Sequence, residues 1–269
     1  MSGARRQVRT LEADGVRLRV ATAGSGRPLL LVMGLGGNLD MWGPLEQRLH
    51  PYGIRTVAYD APGTGGSTDY RTPRRVSGLA TTAERLLDAV GLDRVDVLGV
   101  SFGGGVAQQL AHQAPDRVRR LVLAATSSGA LSVPGHPSAL LALTTPRRYL
   151  DPGYYRRVAP RVFGGASRRA PDAATAERFA HPPSLRGYAF QLYAAAGWTS
   201  LFWLQRIRQP TLVLAGDDDP IVPVANGRLL TSLIPDSRLH VVRGGGHLFL
   251  LEQAGEVAPV VAQFLADRG

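Results

Sequence analysis

At 269 residues, with 44% hydrophobic and 19% charged residues, the chain can bury a sizeable core and carries no compositional mark of disorder. Its formal net charge of +10 comes from 31 basic residues, every one an arginine, against 21 acidic ones. The arginines are scattered, with no run longer than a pair (Arg74–Arg75, Arg147–Arg148, Arg156–Arg157 and Arg168–Arg169 among them), and no nucleic-acid module accompanies them. General use of arginine in place of lysine is therefore the reading taken, with no nucleic-acid partner expected. The absence of cysteine excludes disulfides, thiolate zinc sites, iron–sulfur clusters and a cysteine nucleophile together.

The opening stretch MSGARRQVRTLEADG has no apolar h-region, and no apolar run reaches the roughly 18 residues of a membrane span. A cytoplasmic protein without an integral membrane segment is the expectation. Residues 7–22 then read as a hairpin, VRTLEA and VRLRVA flanking an Asp14-Gly15 turn. PLLLVMG (28–34) is a continuous apolar run ended by glycines, as a strand buried on both faces requires. The same type recurs as RTVAYD (55–60), VDVLGV (95–100), RRLVLAA (119–125), PTLVLAG (210–216) and SRLHVV (237–242). Helical patterns lie between the runs, over residues 79–90 with Gly91 as its stop, and over about 103–114, 225–233 and 252–266.

Strands alternating with helices predict an α/β fold, with a mostly parallel central sheet covered by helices on both faces and functional groups at the strands' carboxyl ends. Between residues 129 and 205 the rhythm breaks, and proline, arginine and aromatic residues accumulate. This stretch is read as a helical cap inserted after the sixth strand, so that residues 1–128 and 206–269 form the two parts of one core.

The sharpest motif is Gly99-Val100-Ser101-Phe102-Gly103. G-x-S-x-G alone is weak in a chain with 32 glycines, but here a strand pattern precedes it and a helix pattern follows. That context defines a strand–turn–helix elbow, which lifts a nucleophilic serine above the sheet at a helix N-terminus. A serine needs a base. Of six histidines, His50, His112, His136 and His181 lie in loops, helix ends or the cap, and His240 lies within a predicted strand. His247 instead follows the last strand and Gly244-Gly245-Gly246, at the sheet's carboxyl edge. An acid should orient that imidazole. The candidates are Asp217, Asp218 and Asp219 after PTLVLAG, and Asp219 is chosen because it sits three residues past Gly216 and directly before Pro220. Asp217 and Asp218 are then capping and solvated-loop residues.

Two backbone N–H groups should form an oxyanion hole: Phe102, next after the nucleophile, and Leu35 in the turn Met33-Gly34-Leu35-Gly36-Gly37. The turn from Asp60 to Ser67 lacks the pattern of a phosphate loop and is read as structural. Neither a calcium-loop spacing nor H-E-x-x-H occurs, so no metal and no organic cofactor are expected. Met33, Tyr193, Trp198 and Leu248 are the expected substrate-contacting side chains, lining an apolar channel above Ser101 that suits an alkyl or acyl chain.

The whole arrangement resembles the α/β-hydrolase superfamily over nearly the full chain. GVSFGGGVAQQLAHQAPDRVRRLVLAATSSGA, TPRRYLDP, GYAFQLYAAAGWTSLFWLQRIRQPTLVLAGDDDPIVP and GGGHLFLL look like the intracellular poly(3-hydroxyalkanoate) depolymerases of the medium-chain-length type. That resemblance implies Ser101, Asp219 and His247 as a catalytic triad, hydrolysis of 3-hydroxyacyl polyester, and no cofactor. The family usually has tryptophan after the nucleophile where this chain has Phe102, a departure that bears on acyl-chain preference. Action on an acyl thioester or a small ester or lactone remains open on the same residues, as does a non-catalytic, hydrolase-like binding role. Arg147, Arg148, Arg156 and Arg157 suggest association of the cap with an anionic, lipid-coated granule surface.

Overall fold

The computed structural model describes residues 6–171 and 175–267. The predicted hairpin forms from β1 (Gln7–Ala13) and β2 (Val16–Ala23), with Asp14 and Gly15 both at positive φ in the turn. The buried runs become β3 (Arg27–Val32), β4 (Ile54–Tyr59), β5 (Val95–Val100), β6 (Val118–Ala124) and β7 (Thr211–Gly216), followed by β8 (Ser237–Val242). These make one eight-stranded sheet in the order β1-β2-β4-β3-β5-β6-β7-β8. It is parallel from β4 to β8 and antiparallel only where β2 meets β1 and β4.

Helices cover both faces, and side-chain alternation along the strands explains why both can be apolar. Leu30, Val97 and Val213 join one core with α2 (Val76–Ala89), α3 (Phe102–Gln113) and α9 (Val224–Leu233). Leu29, Leu31, Leu98, Leu212 and Leu214 face the other, which includes α1 (Gly43–Leu49), α10 (Phe249–Glu252) and α11 (Ala254–Ala266). Two elements depart from expectation. β8 does not behave as a strand buried on both faces: it is the sheet's edge, pairs only with β7, and of its residues only Val242 is buried. Helix α1 was not anticipated; it is short and amphipathic, begins beside Pro44, and buries Leu45 and Leu49.

Between β6 and β7 the described residues form α4 (Pro137–Ala142), α5 (Arg147–Leu150), α6 (Pro152–Phe163), α7 (Thr175–Ala180) and α8 (Leu185–Ala195). Part of this segment has its own small core of Ala139, Ala142, Tyr155, Ala159, Val162 and Phe163, joined by Ile221. Its two ends meet where Ala130 donates to the Trp198 carbonyl at 2.8 Å and Ser200 N–H donates to the Ser128 carbonyl at 2.9 Å. No helix among the described residues is long and apolar enough to cross a membrane.

Candidate active site

Ser101 joins β5 to α3 with φ 55° and ψ −123°, a conformation that L-residues rarely adopt. Two tight approaches impose it. A Cβ on Gly103 would lie 2.2 Å from the Val32 carbonyl oxygen, and one on Gly99 would lie 2.4 Å from the Gly103 oxygen. Glycines on both sides therefore let α3 start hard against β3 and β5. The strained turn is held by Ser101 N–H donating to the Ala124 carbonyl at 2.9 Å and by the Thr126 hydroxyl donating to the Ser101 carbonyl at 2.7 Å. Backbone strain retained only because its surroundings enforce it is a frequent mark of functional positions.

The structure brings Ser101, His247 and Asp219 together from the ends of three parallel strands. His247 Nε2 lies 2.9 Å from Ser101 Oγ, and Nδ1 lies 2.8 Å from Asp219 Oδ2. A carboxylate can only accept, so Nδ1 carries the proton in the neutral ring, and Nε2 is left to accept from the serine hydroxyl. The other oxygen of Asp219 accepts from Ile221 and Val222 N–H at 2.8 and 3.0 Å, which fixes the carboxylate plane. Both Asp219 and His247 are buried. The Phe163 carbonyl accepts from His247 N–H at 2.6 Å, and the Phe163 ring stacks on the imidazole at 6.5 Å.

The neighbouring aspartates do other work. Asp217 accepts from Gly244 N–H at 2.7 Å and ties the loops after β7 and β8 together. Asp218 accepts from Arg168 at 2.8 and 2.7 Å and from Gly165 N–H at 2.8 Å. The hydrogen bond from Arg168 holds the Asp218 carboxyl below its ordinary pKa. Asp60, fully buried, accepts from Leu39 N–H at 2.6 Å and Gly66 N–H at 2.8 Å, so the turn that follows β4 anchors the loop leading into α1.

Leu35 and Phe102 both border Ser101. Phe102 is the first residue of α3, where a backbone N–H has no intrahelical acceptor. The peptide between Leu35 and Gly36 is gripped at both ends by the inserted segment: Gln191 Oε1 accepts from Gly36 N–H at 2.8 Å, while Tyr149 Oη and Arg148 Nη2 donate to the Leu35 carbonyl at 2.7 and 3.2 Å. Gly36, at φ 71°, must be glycine, since a Cβ would lie 2.8 Å from both the Tyr149 and Tyr188 rings. Sequence reading missed this clamp. Its one available signal is a glutamine on the α8 face that otherwise carries Gly187, Tyr188 and Ala194.

Two cavities meet at Ser101 and share Leu35 and Leu143. One is narrow and includes Met33, Trp42, Leu248, Arg148, Tyr149 and Arg178 in its lining. The other is wider, about 330 Å³, and is lined by Phe102, Leu192, Ala195, Trp198 and Val222 among others. Met33, Leu248 and Trp198 thus stand where substrate contact was expected. Tyr193 does not: it is 42% exposed and lines neither cavity, and the Arg75 guanidinium lies 4.3 Å from its ring centre. The cause is helical phase, since the buried residues of α8 are Gly187, Tyr188, Gln191 and Ala194, and Tyr193 lies off that stripe. Arg148 likewise cannot meet a granule surface, because its guanidinium is buried against Tyr188 and the Leu35 carbonyl.

Among the described residues no cluster of three metal-ligating side chains occurs. Residues 29–260 match the alpha/beta hydrolase family model, and the chain belongs to that family of hydrolases. It is 45% identical over 266 residues to the poly(3-hydroxyalkanoate) depolymerase of Ectopseudomonas oleovorans, covering 96% of this chain and 92% of the relative. To 3-oxoadipate enol-lactonase 2 of Acinetobacter baylyi it is 31% identical over 261 residues, 91% of each chain. The crystal structure of the enol-lactonase from Burkholderia xenovorans superposes with a TM-score of 0.83 at 24% identity, over 96% of this chain and all of that one, a likeness of fold.

Proposed function

We propose that the chain is a cofactor-free ester hydrolase acting on 3-hydroxyalkanoate esters, with Ser101 as nucleophile, His247 as base and Asp219 as its orienting acid. The observation that carries this reading is the unbroken hydrogen-bonded path from Asp219 through His247 to Ser101, ending where two largely apolar cavities meet. The substrate class rests on the 45% identity to a poly(3-hydroxyalkanoate) depolymerase across nearly the whole of both chains.

In the reaction, His247 Nε2 takes the proton of Ser101 Oγ as the oxygen attacks the ester carbonyl. The carbonyl electron pair moves to oxygen, and the N–H groups of Leu35 and Phe102 stabilise that charge. Asp219 holds the resulting imidazolium. Collapse of the tetrahedral centre breaks the ester C–O bond, and His247 returns its proton to the departing hydroxyl. Water then attacks the acyl-serine, giving its proton to His247; collapse breaks the acyl C–Oγ bond, His247 returns the proton to Ser101 Oγ, and the released acid leaves. Residues 129–205 act as the cap: they hold the Leu35–Gly36 peptide and supply much of the apolar lining.

Hydrolysis of 3-hydroxyoctanoate oligomers and of 3-hydroxyoctanoyl-CoA, measured side by side, tests the substrate class. Faster turnover of the oligomers is expected. Turnover of the thioester alone would overturn the polyester reading, and turnover of small lactones alone would assign the site to lactone hydrolysis.

A further inference from the structure

The narrow cavity beside Ser101 is lined by apolar side chains and by two arginines that are almost wholly inaccessible to solvent, Arg148 and Arg178 at 2% and 1% exposure. Their situations differ. Arg148 donates to the carbonyls of Leu35 and Thr145, each at 3.2 Å, and to the Tyr188 hydroxyl, which makes it part of the clamp on the loop. Arg178 is not part of that clamp. Its guanidinium carbon lies 4.9 Å from the ring centres of Tyr149 and Tyr155 and 5.1 Å from that of Phe163. Ring faces covering a guanidinium compensate its charge in part, and the Tyr155 hydroxyl beside it takes up only part of its N–H donors.

Among the described residues, Nε and Nη1 of Arg178 have no hydrogen-bond partner, and no carboxylate oxygen lies within 4.0 Å of the group. Glu252 feels its field but is hydrogen-bonded to the Ser167 hydroxyl instead. A buried cation with two free donors and no carboxylate in contact is costly, and such groups call for an explanation beyond packing. Here the missing partner is an anion that enters with the ligand. The flat donor edge of a guanidinium matches a carboxylate, which can accept two parallel N–H bonds.

We propose that Arg178 forms a carboxylate subsite that receives the free acid end of the bound hydroxyacid chain, beside the serine that cleaves it. This rests on the ester-hydrolase reading for its substrate, and it adds a direction. In a 3-hydroxyacid polyester the terminal unit carrying the free carboxylate is the alcohol half of the last ester bond. Only three bonds separate its ester oxygen from its carboxylate carbon, so that acid can stay in the cavity while Ser101 attacks the adjoining carbonyl. Cleavage then starts at the acid end and releases one hydroxyacid at a time. Interior esters, which present no carboxylate, are poorer substrates.

The test compares the 3-hydroxyoctanoate dimer as free acid with its methyl ester at neutral pH. For the unmodified chain, kcat/KM for the free acid is expected to exceed that for the methyl ester by at least about tenfold, the scale of one charge-assisted contact. In Arg178→Gln the ratio should fall toward one, and Arg178→Lys should recover part of it. A ratio near one in the unmodified chain overturns the subsite. Calorimetric titration of 3-hydroxyoctanoate against 3-hydroxyoctanamide into the unmodified chain needs no turnover and no folded variant. Tighter binding of the acid supports the subsite even if neither dimer is hydrolysed, an outcome that would sink only the polyester reading. Equal binding of acid and amide overturns the subsite whatever the activity.

Discussion

At the elbow, Ser101 is held mainly by backbone: a strained turn, glycines pressed against β3 and β5, and a main-chain hydrogen bond to the Ala124 carbonyl at 2.9 Å. One side-chain hydroxyl, that of Thr126, donates to the Ser101 carbonyl at 2.7 Å. The inserted segment reaches the same place by side chains, with Gln191, Arg148 and Tyr149 gripping the Leu35–Gly36 peptide and Arg168 pairing with Asp218. Chemistry is thereby placed on the rigid part, where a small displacement would be most costly. The oxyanion loop is instead controlled by the part that covers it. Substitution of Ser101, His247 or Asp219 should abolish the reaction with the fold intact, whereas one in the clamp should alter rate and stability together.

The largest effect is expected for Asp219→Asn. An amide can donate to Nδ1 and so favour the wrong tautomer, and kcat should fall by about 10⁴ with the thermal midpoint little changed. A fall of less than about tenfold, measured on any ester the chain hydrolyses, would remove Asp219 from the path. Gln191→Leu probes the clamp. It leaves Gly36 N–H buried without its acceptor, at a stability cost of roughly 1–3 kcal/mol, and kcat should drop about tenfold as the loop loosens. Loss of stability with kcat unchanged would show that the clamp serves folding alone.

The smallest effect is expected for Asp218→Asn. Its ion pair with Arg168 is half-exposed, so its loss should cost less than about 1 kcal/mol. The sign of its pH dependence follows from the depressed carboxyl. The folded pKa lies below the unfolded value of about 3.9, so the pair stabilises fully above that value and is lost as pH falls through the folded one. The difference between variant and unmodified chain should be constant from pH 6 to 8 and shrink below about pH 4. A difference that grows toward low pH would contradict the pairing.

Much of the frame was legible in the residues because strands buried on both faces leave a plain mark. Every run from PLLLVMG to PTLVLAG forms a strand, and the meeting of Ser101, Asp219 and His247 follows from placing each at the end of its strand. What escaped was governed by position in space, not by local pattern. SRLHVV has a strand's composition, but whether a strand lies inside a sheet or at its edge is decided by its neighbours. In α8, aromatic residues at 188, 190 and 193 fall on more than one face, so the helix phase that turns Tyr193 outward could not be read. Arg148 and Arg178 were hidden among 31 arginines, since charge in a sequence ordinarily signals exposure.

Reaction with a serine-directed fluorophosphonate, followed by intact-mass and peptide mapping, tests the central claim most directly. One adduct per chain is expected, located on Ser101, with esterase activity lost in proportion to labelling and no labelling in His247→Ala. Full labelling at another serine, or activity that survives a stoichiometric adduct on Ser101, would contradict it.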